Sequence, residues 1–278
     1  MTDIPTTYKQ LLERIAREGS ADARNLVAFS GGVDSSLVAQ AVHTVFPANC
    51  EAVMALSPSV SADMRTLAED IAAHIGIPLR FVHIEEYRDP RYVANEGMSC
   101  YVCKSHIYDA LRAVSRDAAT HGGDVLLYNG TNADDTADPT RVGLKAAQEF
   151  GVRSPLDTFS KETVRALSRH AGLPNWQFAA TPCLRSRLQA GVPATPAHLQ
   201  RVEAAEAALR DLFAVPATAN FRVRHVRDGS AVVEIDAPLL EHVDLDRCRG
   251  ILQELGYRDV ARRAFRSGSV SADIRTPL

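Results

Sequence analysis

The stretch Leu26-Val-Ala-Phe-Ser30-Gly31-Gly32-Val33-Asp34-Ser35-Ser36-Leu37 constrains this chain more than any other. The apolar run from Leu26 to Phe29 predicts a buried strand, and the periodic segment from about Leu37 to Val45 predicts a helix. Two glycines between them let the backbone approach a ligand closely. Successive N–H groups and the positive end of the helix dipole then favour an anion. Ser30, Ser35 and Ser36 add hydroxyl donors, and Asp34 can hold a Mg2+ that shields phosphate charge. The pattern is not the Gly-x-x-x-x-Gly-Lys-Ser/Thr loop. An ordinary strand-to-helix turn with a Ser or Asp cap is the plain alternative. The full set of Ser30, Gly31, Gly32, Asp34, Ser35 and Ser36 predicts a polyphosphate cradle instead.

Further strands are expected at Glu51 to Ser57, Leu79 to Ile84, Val125 to Tyr128 and Gly151 to Leu156, with helices over 7–18 and 62–75. Strands alternating with helices imply an α/β fold, a doubly wound and mostly parallel sheet. Ligands of such sheets sit at the carboxyl ends of the strands. Ala55 to Ser57 are therefore candidates to line the ligand crevice, and Asn129-Gly130-Thr131-Asn132-Ala133-Asp134-Asp135 faces the same crevice. Asp134 and Asp135 can hold metal or a ribose hydroxyl, although Asx-rich turns are common in themselves. Arg141, Lys145 and Glu149 fall at helical spacing, where surface ion pairs are an alternative to a ligand role.

Past Pro193 the pattern changes. Thr195-Pro196 opens a helix running to about Phe213, and Phe221 to Val226 and Ala231 to Ile235 form a hairpin around Arg227-Asp228-Gly229-Ser230. A helix over about 238–255 and a strand near Arg258 to Val260 complete a smaller α+β domain. The expected division is 1–190 and 191–278.

Composition narrows the class of function. The chain has 278 residues, 46% hydrophobic and 23% charged, as in globular proteins of one large domain or two. A net charge of −3, from 31 basic and 34 acidic residues, argues against a broad nucleic-acid-binding surface. The start lacks a signal-peptide pattern and no apolar run is long enough to span a membrane, so the expectation is a cytoplasmic protein. Five cysteines without an export signal point to a metal or redox site rather than a disulfide framework.

Cys100-Tyr-Val-Cys103-Lys104 is followed far along the chain by Cys183 in Thr181-Pro182-Cys183-Leu184-Arg185-Ser186-Arg187. The pair alone fits a thioredoxin-type couple, half a zinc site with His106 nearby, part of an iron–sulfur site, or simply buried cysteines. Three cysteines without an obvious fourth suit a 4Fe–4S cluster with one open iron, where an exogenous ligand such as sulfide can bind. Cys50 and Cys248 read as structural. Arg222 and Arg224 share one face of an alternating strand, either to meet an anion or as a solvated face. Lys104, Arg187, Arg222 and Arg224 are the cations available to stabilise charge on an anionic ligand.

Ser30-Gly-Gly-Val-Asp-Ser35 resembles the PP-loop of the ATP pyrophosphatases, which cleave ATP to AMP and pyrophosphate. Together with Cys100-x-x-Cys103-Lys104, Gly130-Thr-Asn-Ala-Asp-Asp135, Arg141-x-Gly143-x-x-Ala146, Arg153-Ser-Pro-Leu156, Pro182-Cys183-Leu-x-Ser186-Arg187, Arg222-Val-Arg224-His225 and Phe265-Arg-Ser-Gly268, it resembles the LarE family over nearly the whole chain. The resemblance implies adenylation of a carboxylate of pyridinium-3,5-biscarboxylic acid mononucleotide with ATP and Mg2+, followed by sulfur insertion on the way to the nickel-pincer cofactor of lactate racemase. Some members sacrifice the sulfur of one cysteine; others carry three cysteines that bind a 4Fe–4S cluster. Cys100, Cys103 and Cys183 make this chain similar to the second kind, which puts a sacrificial role for Cys183 in doubt. The resemblance also implies Glu206 as a metal candidate, a small-molecule nucleotide as substrate, a sulfide source as partner, and self-association. The alternatives are a PP-loop tRNA thiolase with a cluster and, in a different class, a nucleotide sensor or zinc-stapled protein without turnover.

Overall fold

The computed structural model describes residues 3–116 and 124–266, so the Ser267 and Gly268 end of the last motif lies outside the described residues. In chain order the elements are α1 (Ile4–Glu18), β1 (Arg24–Ala28), α2 (Val33–Val45), β2 (Cys50–Leu56), α3 (Ala62–Ile75), β3 (Leu79–His83), α4 (Pro90–Val93), α5 (Ser99–Arg116), β4 (Val125–Tyr128), α6 (Ala133–Thr136), α7 (Gly143–Glu149), α8 (Lys161–His170), α9 (Pro196–Phe213), β5 (Phe221–His225), β6 (Ala231–Ile235), α10 (Leu245–Glu254) and β7 (Val260–Ala264). They fall into two compact units, one of Met1–Ser57, Ala62–Glu86 and Cys100–Gln177, the other of Pro58–Ser61, Tyr87–Ser99 and Phe178–Leu278.

The first unit is a parallel sheet in the order β3-β2-β1-β4. β1 is paired on both sides, Asn25 with Cys50 and Leu126, and Val27 with Ala52 and Tyr128. Both faces of the sheet are covered, which is why β1 and β2 read as continuous apolar runs. Tyr108 and Leu111 of α5 and Ala146 and Ala147 of α7 pack with Leu26, Val53 and Leu127 of the sheet. α2 packs on β1 and β2 with α1, α3 and α8 beside it, burying Leu11, Ile15, Leu37, Val38, Val164 and Leu167 completely. Successive βαβ crossovers run from β1 to β3, and the chain then returns to place β4 on the other side of β1. The order therefore reverses between β1 and β4, the point where open α/β sheets hold ligands. The segment 151–156, expected as a fifth strand, makes only isolated parallel bridges, Tyr128 with Arg153 and Asn132 with Leu156. Pro155 has no N–H to donate, and the Ser154 hydroxyl donates to Asn129 Oδ1 at 2.8 Å.

In the second unit, β5 and β6 form the expected antiparallel hairpin, and β7 joins β6 in parallel after the α10 crossover. Thr195 caps α9 by accepting from the His198 amide at 3.3 Å. Leu209, Phe221, Val233, Val243, Leu252 and Val260 make the core. β5 does not alternate between core and solvent. All five of its residues are buried, Arg222 and Arg224 included, so neither arginine lies on a solvated strand face.

His225 is 4% exposed, with its ring centroid 4.9 Å from that of His198 and 5.3 Å from that of Tyr257. Burial, with His198 and Arg201 adding to it and Asp228 opposing, pushes its pKa down to about 4. The folded protein thus holds a neutral imidazole that the unfolded chain would protonate near its ordinary value of 6.5. Its contribution is fully present above pH 6.5 and is lost as pH falls toward 4. We expect acidification through that window to remove on the order of 2 kcal/mol of stability, and His225→Phe to flatten the loss in chemical denaturation.

Candidate active site

The loop after β1 has the cradle geometry. Gly31 adopts φ +71, a left-handed conformation in which a Cβ would stand 2.9 Å from the Ala68 Cα and N, so only glycine fits. Ser35 Oγ accepts from the Ser30 amide at 3.2 Å, lies 3.1 Å from Ser30 Oγ, and donates to Gly32 O at 3.1 Å, pinning the loop to the first turn of α2. The loop after β4 closes against it. A Cβ on Gly130 would stand 2.8 Å from the Asp34 carbonyl carbon and the Ser35 nitrogen. The two loops flanking the switch point are therefore in contact through Gly130. Thr131 is 8% exposed and its amide donates to Asn129 Oδ1 at 3.0 Å.

Asp34 is half-buried, and its pKa is pushed up to about 6, first by burial and then by the neighbouring Asp135, with Lys161, the Asn132 amide and Arg165 drawing it back. Two crowded carboxylates beside an anion cradle form a donor set that suits Mg2+, which takes one or two carboxylates together with substrate phosphates. Asp135 completes a capping box with Asn132 and also meets the Arg141 guanidinium at 2.8 Å. Arg141 is thus tied to the site through Asp135, whereas Lys145 and Glu149 make an exposed pair at 3.9 Å.

Lys161 and Arg165 were not singled out from the sequence, nor was Asn175. Lys161 starts α8, where its amide donates to Asp134 Oδ2 at 2.9 Å, which is how a helix more than a hundred residues along the chain reaches Asp34. Asn175, fully buried in the turn after α8, donates to Gly31 O at 2.7 Å and to Ser36 Oγ at 3.0 Å. Ala55 lies near the end of β2 and Ser57 just follows it, where the Ser57 hydroxyl donates to Glu86 Oε1 at 2.6 Å.

Cys100 and Cys103 sit in the first two turns of α5, a helix for which no expectation was drawn from the sequence. At i and i+3 they share one helix face. Lys104 lies beside both. Burial alone would lower its ammonium, but Tyr108, Cys103 and Cys100 together raise it above its ordinary value. Two thiols one helical turn apart fit two corners of an iron–sulfur cluster. Cys183 belongs to the second unit, where it precedes a short 3-10 turn, Leu184–Arg187. Within either unit, no group of three or more His, Cys, Asp or Glu side chains gathers to hold a metal among the described residues.

The second unit is built around buried arginines. Arg187, 1% exposed, binds Glu206 with two parallel contacts, Nε to Oε1 at 2.9 Å and Nη2 to Oε2 at 3.1 Å. Its other nitrogen donates to the carbonyls of Pro182 and Cys183, fixing the backbone on both sides of the Pro182–Cys183 link. Glu206, expected as a metal candidate, has both oxygens on Arg187, and Oε1 also accepts the Val223 amide at 2.9 Å. Arg224 pairs with Glu234 at 2.7 Å, and Glu234 also holds Arg263 at 2.6 Å. Arg222 differs. It donates to the carbonyls of Phe221 and Ala180, and no carboxylate pairs with it among the described residues. Burial and then Arg187 pull its pKa down to about 9, with Glu206 acting the other way. A guanidinium in that position gains from an anionic ligand.

Removing the Glu206 charge alone should leave Arg187 buried without its partner. Glu206→Gln is expected to lose about 3–5 kcal/mol in denaturant unfolding. A loss below about 1 kcal/mol would mean that the pair is not holding this region together.

No protein-family model matches the chain. It is 42% identical over 191 residues to an uncharacterized protein of Synechocystis, which covers 68% of this chain and 69% of that one. A tRNA-specific 2-thiouridylase of Halorhodospira halophila is 28% identical over 185 residues, 55% of this chain and 48% of the relative. The pyridinium-3,5-bisthiocarboxylic acid mononucleotide synthase of Lactiplantibacillus plantarum is 32% identical over 257 residues, 89% of each chain. With that identity over nearly its full length, and with the sheet and loop geometry described above, this chain belongs to the family of the L. plantarum synthase, the LarE family.

Proposed function

We propose that this enzyme uses ATP and a sulfide source to convert a carboxylate of pyridinium-3,5-biscarboxylic acid mononucleotide to a thiocarboxylate, releasing pyrophosphate and AMP. The observation that carries the reading is the anion cradle at Ser30 to Ser36, closed by Gly130 and flanked by the Asp34–Asp135 carboxylates and the charges of Lys161 and Arg165. In this reading Ser30, Gly31, Gly32 and Ser35 receive the triphosphate, Ser36, 0% exposed, supports the loop from behind, Asp34 and Asp135 hold Mg2+, and Ala55, Ser57 and Thr131 line the nucleotide's side of the crevice. Arg141 keeps Asp135 in place, at 2.8 Å. A substrate carboxylate oxygen attacks the α-phosphorus and the bond to the β-phosphate breaks. Lys161 and Arg165 neutralise the departing pyrophosphate. Sulfide then attacks the carbonyl carbon of the acyl adenylate, a C–S bond forms, and the C–O bond to AMP breaks.

Arg222 is assigned to the substrate phosphate, with Arg187 and Arg224 fixing the backbone and carboxylates around it. Cys100, Cys103 and Cys183 are assigned as ligands of a 4Fe–4S cluster, which when bound offers an open iron that can carry sulfide. Lys104, beside both Cys100 and Cys103, supplies positive charge next to them. The helical spacing of Cys100 and Cys103 supports this assignment, and the motif resemblance adds Cys183.

The test is a comparison of acceptors. Anaerobically purified protein with ATP, Mg2+, sulfide and the pyridinium nucleotide should yield AMP and a product in which sulfur replaces a carboxyl oxygen. Bulk tRNA should yield no thiolated nucleoside. Thiolated tRNA without thiocarboxylate would transfer the assignment to the tRNA thiolases, to which one relative belongs.

A further inference from the structure

We infer that Asn175 is a positioning residue for catalysis: it sets the orientation of the Gly31–Gly32 peptide so that the Gly32 N–H is presented to the phosphates, without touching the ligand itself. The inference rests on the nucleotide reading of this loop given above. The Asn175 side chain is 0% exposed and its Nδ2 donates to Gly31 O at 2.7 Å and to Ser36 Oγ at 3.0 Å. A carbonyl oxygen can only accept, so the contact to Gly31 fixes which end of the amide points at the loop.

A planar trans peptide points its C=O and its N–H in opposite directions. With the Gly31 oxygen drawn into the interior by Asn175, the Gly32 N–H must turn outward. Gly32 is exposed, and its N–H has only a long contact of 3.4 Å to Ser30 Oγ among the described residues. That leaves a donor for an incoming anion. The flipped peptide would instead aim the Gly31 oxygen at the phosphates, a repulsive arrangement. Gly31, at φ +71, is what makes the conformation accessible, and Asn175 selects it.

A second observation indicates that the amide is there for its donor. Asn175 Oδ1 is buried and has no hydrogen-bond partner among the described residues. Leaving a buried carbonyl oxygen unpaired is unfavourable. A hydroxyl or an apolar side chain would avoid it but could not hold both Gly31 O and Ser36 Oγ. The turn carrying Asn175 is itself anchored, since Arg165 donates to Trp176 O at 2.7 Å. The same arginine lies beside Asp34, so one segment sets both the loop's backbone and the charge near its carboxylate.

The test compares wild-type protein with N175D, which keeps the shape and loses the donor, and with N175A, which removes both. Equilibrium binding of a non-hydrolysable ATP analogue is measured with KM for ATP, KM for the pyridinium nucleotide, and melting temperature. Both variants are expected to weaken analogue binding and raise KM for ATP by about tenfold, the size of one lost hydrogen bond, with KM for the pyridinium nucleotide unchanged. Either variant, folded and with wild-type KM for ATP, would overturn the inference, as would a loss of kcat and melting temperature with no change in KM. Wild-type protein that binds no analogue would instead overturn the nucleotide reading of the loop and this inference with it.

Discussion

Cys100→Ala, Cys103→Ala and Cys183→Ala each lose sulfur insertion by roughly 100-fold or more while AMP and pyrophosphate are still formed from ATP and the pyridinium nucleotide. The reasoning follows from a division of labour. In the proposed reaction activation depends on the loop after β1 and the carboxylates around it, and none of the three thiols belongs to that set. Cys100 and Cys103 lie on α5 with Lys104 beside them, where loss of one thiolate takes a corner from any cluster held there. Each variant should therefore also lose bound iron. The measurement is iron content beside product mass and AMP release for the three proteins. Iron retained by any one of them would remove that cysteine from the ligand set. Joint loss of AMP formation would mean that the cysteines act in activation.

Asp34→Asn is expected to lower AMP formation itself by about 100- to 1,000-fold. The carboxylate is held half-buried next to Asp135, and its pKa is pushed up to about 6, first by burial and then by Asp135. Replacing it with a neutral amide removes the repulsion and the proposed Mg2+ ligand together, so activity should fall while stability stays level or rises. Ser35→Ala should give a smaller loss of the same kind, about tenfold, because Ser35 Oγ joins Ser30 and Gly32 across the loop. Pyrophosphate release assayed over a Mg2+ titration distinguishes the two, since only the Asp34 variant should shift the dependence on the metal. Normal pyrophosphate release from Asp34→Asn would refute the assigned role of the loop.

What the sequence disclosed and what it withheld follow from the range of the interactions. The strand, loop and helix at Leu26 to Val45 are written in neighbouring residues, and so are the Thr195 cap and the turn at Arg227 to Ser230. A helix starting at Ser99 was missed because its polar first turns, with Ser99, Lys104, Ser105 and His106, mask the burial of Val102, Tyr108 and Leu111. A strand was expected at 151–156, and there Pro155 limits pairing to single bridges. The cations beside Asp34 and the amide behind Gly31 come from α8 and the turn after it, and their nearness is set by the path of the chain through β4. No spacing in the sequence encodes that distance. The buried state of Arg187, Arg222 and Arg224 was equally invisible, since alternation along Phe221 to His225 reads as one exposed face and the strand is covered on both.

The central claim is that activation at the Ser30 to Ser36 loop is joined to sulfur delivered from a cluster on Cys100, Cys103 and Cys183. Iron and acid-labile sulfide in anaerobically purified wild-type protein, before and after turnover with substrate, test it most directly. The account predicts one 4Fe–4S cluster per chain and a Cys183 that keeps its sulfur after product has formed. Zinc in place of iron, or a Cys183 converted to dehydroalanine in step with product, would contradict it.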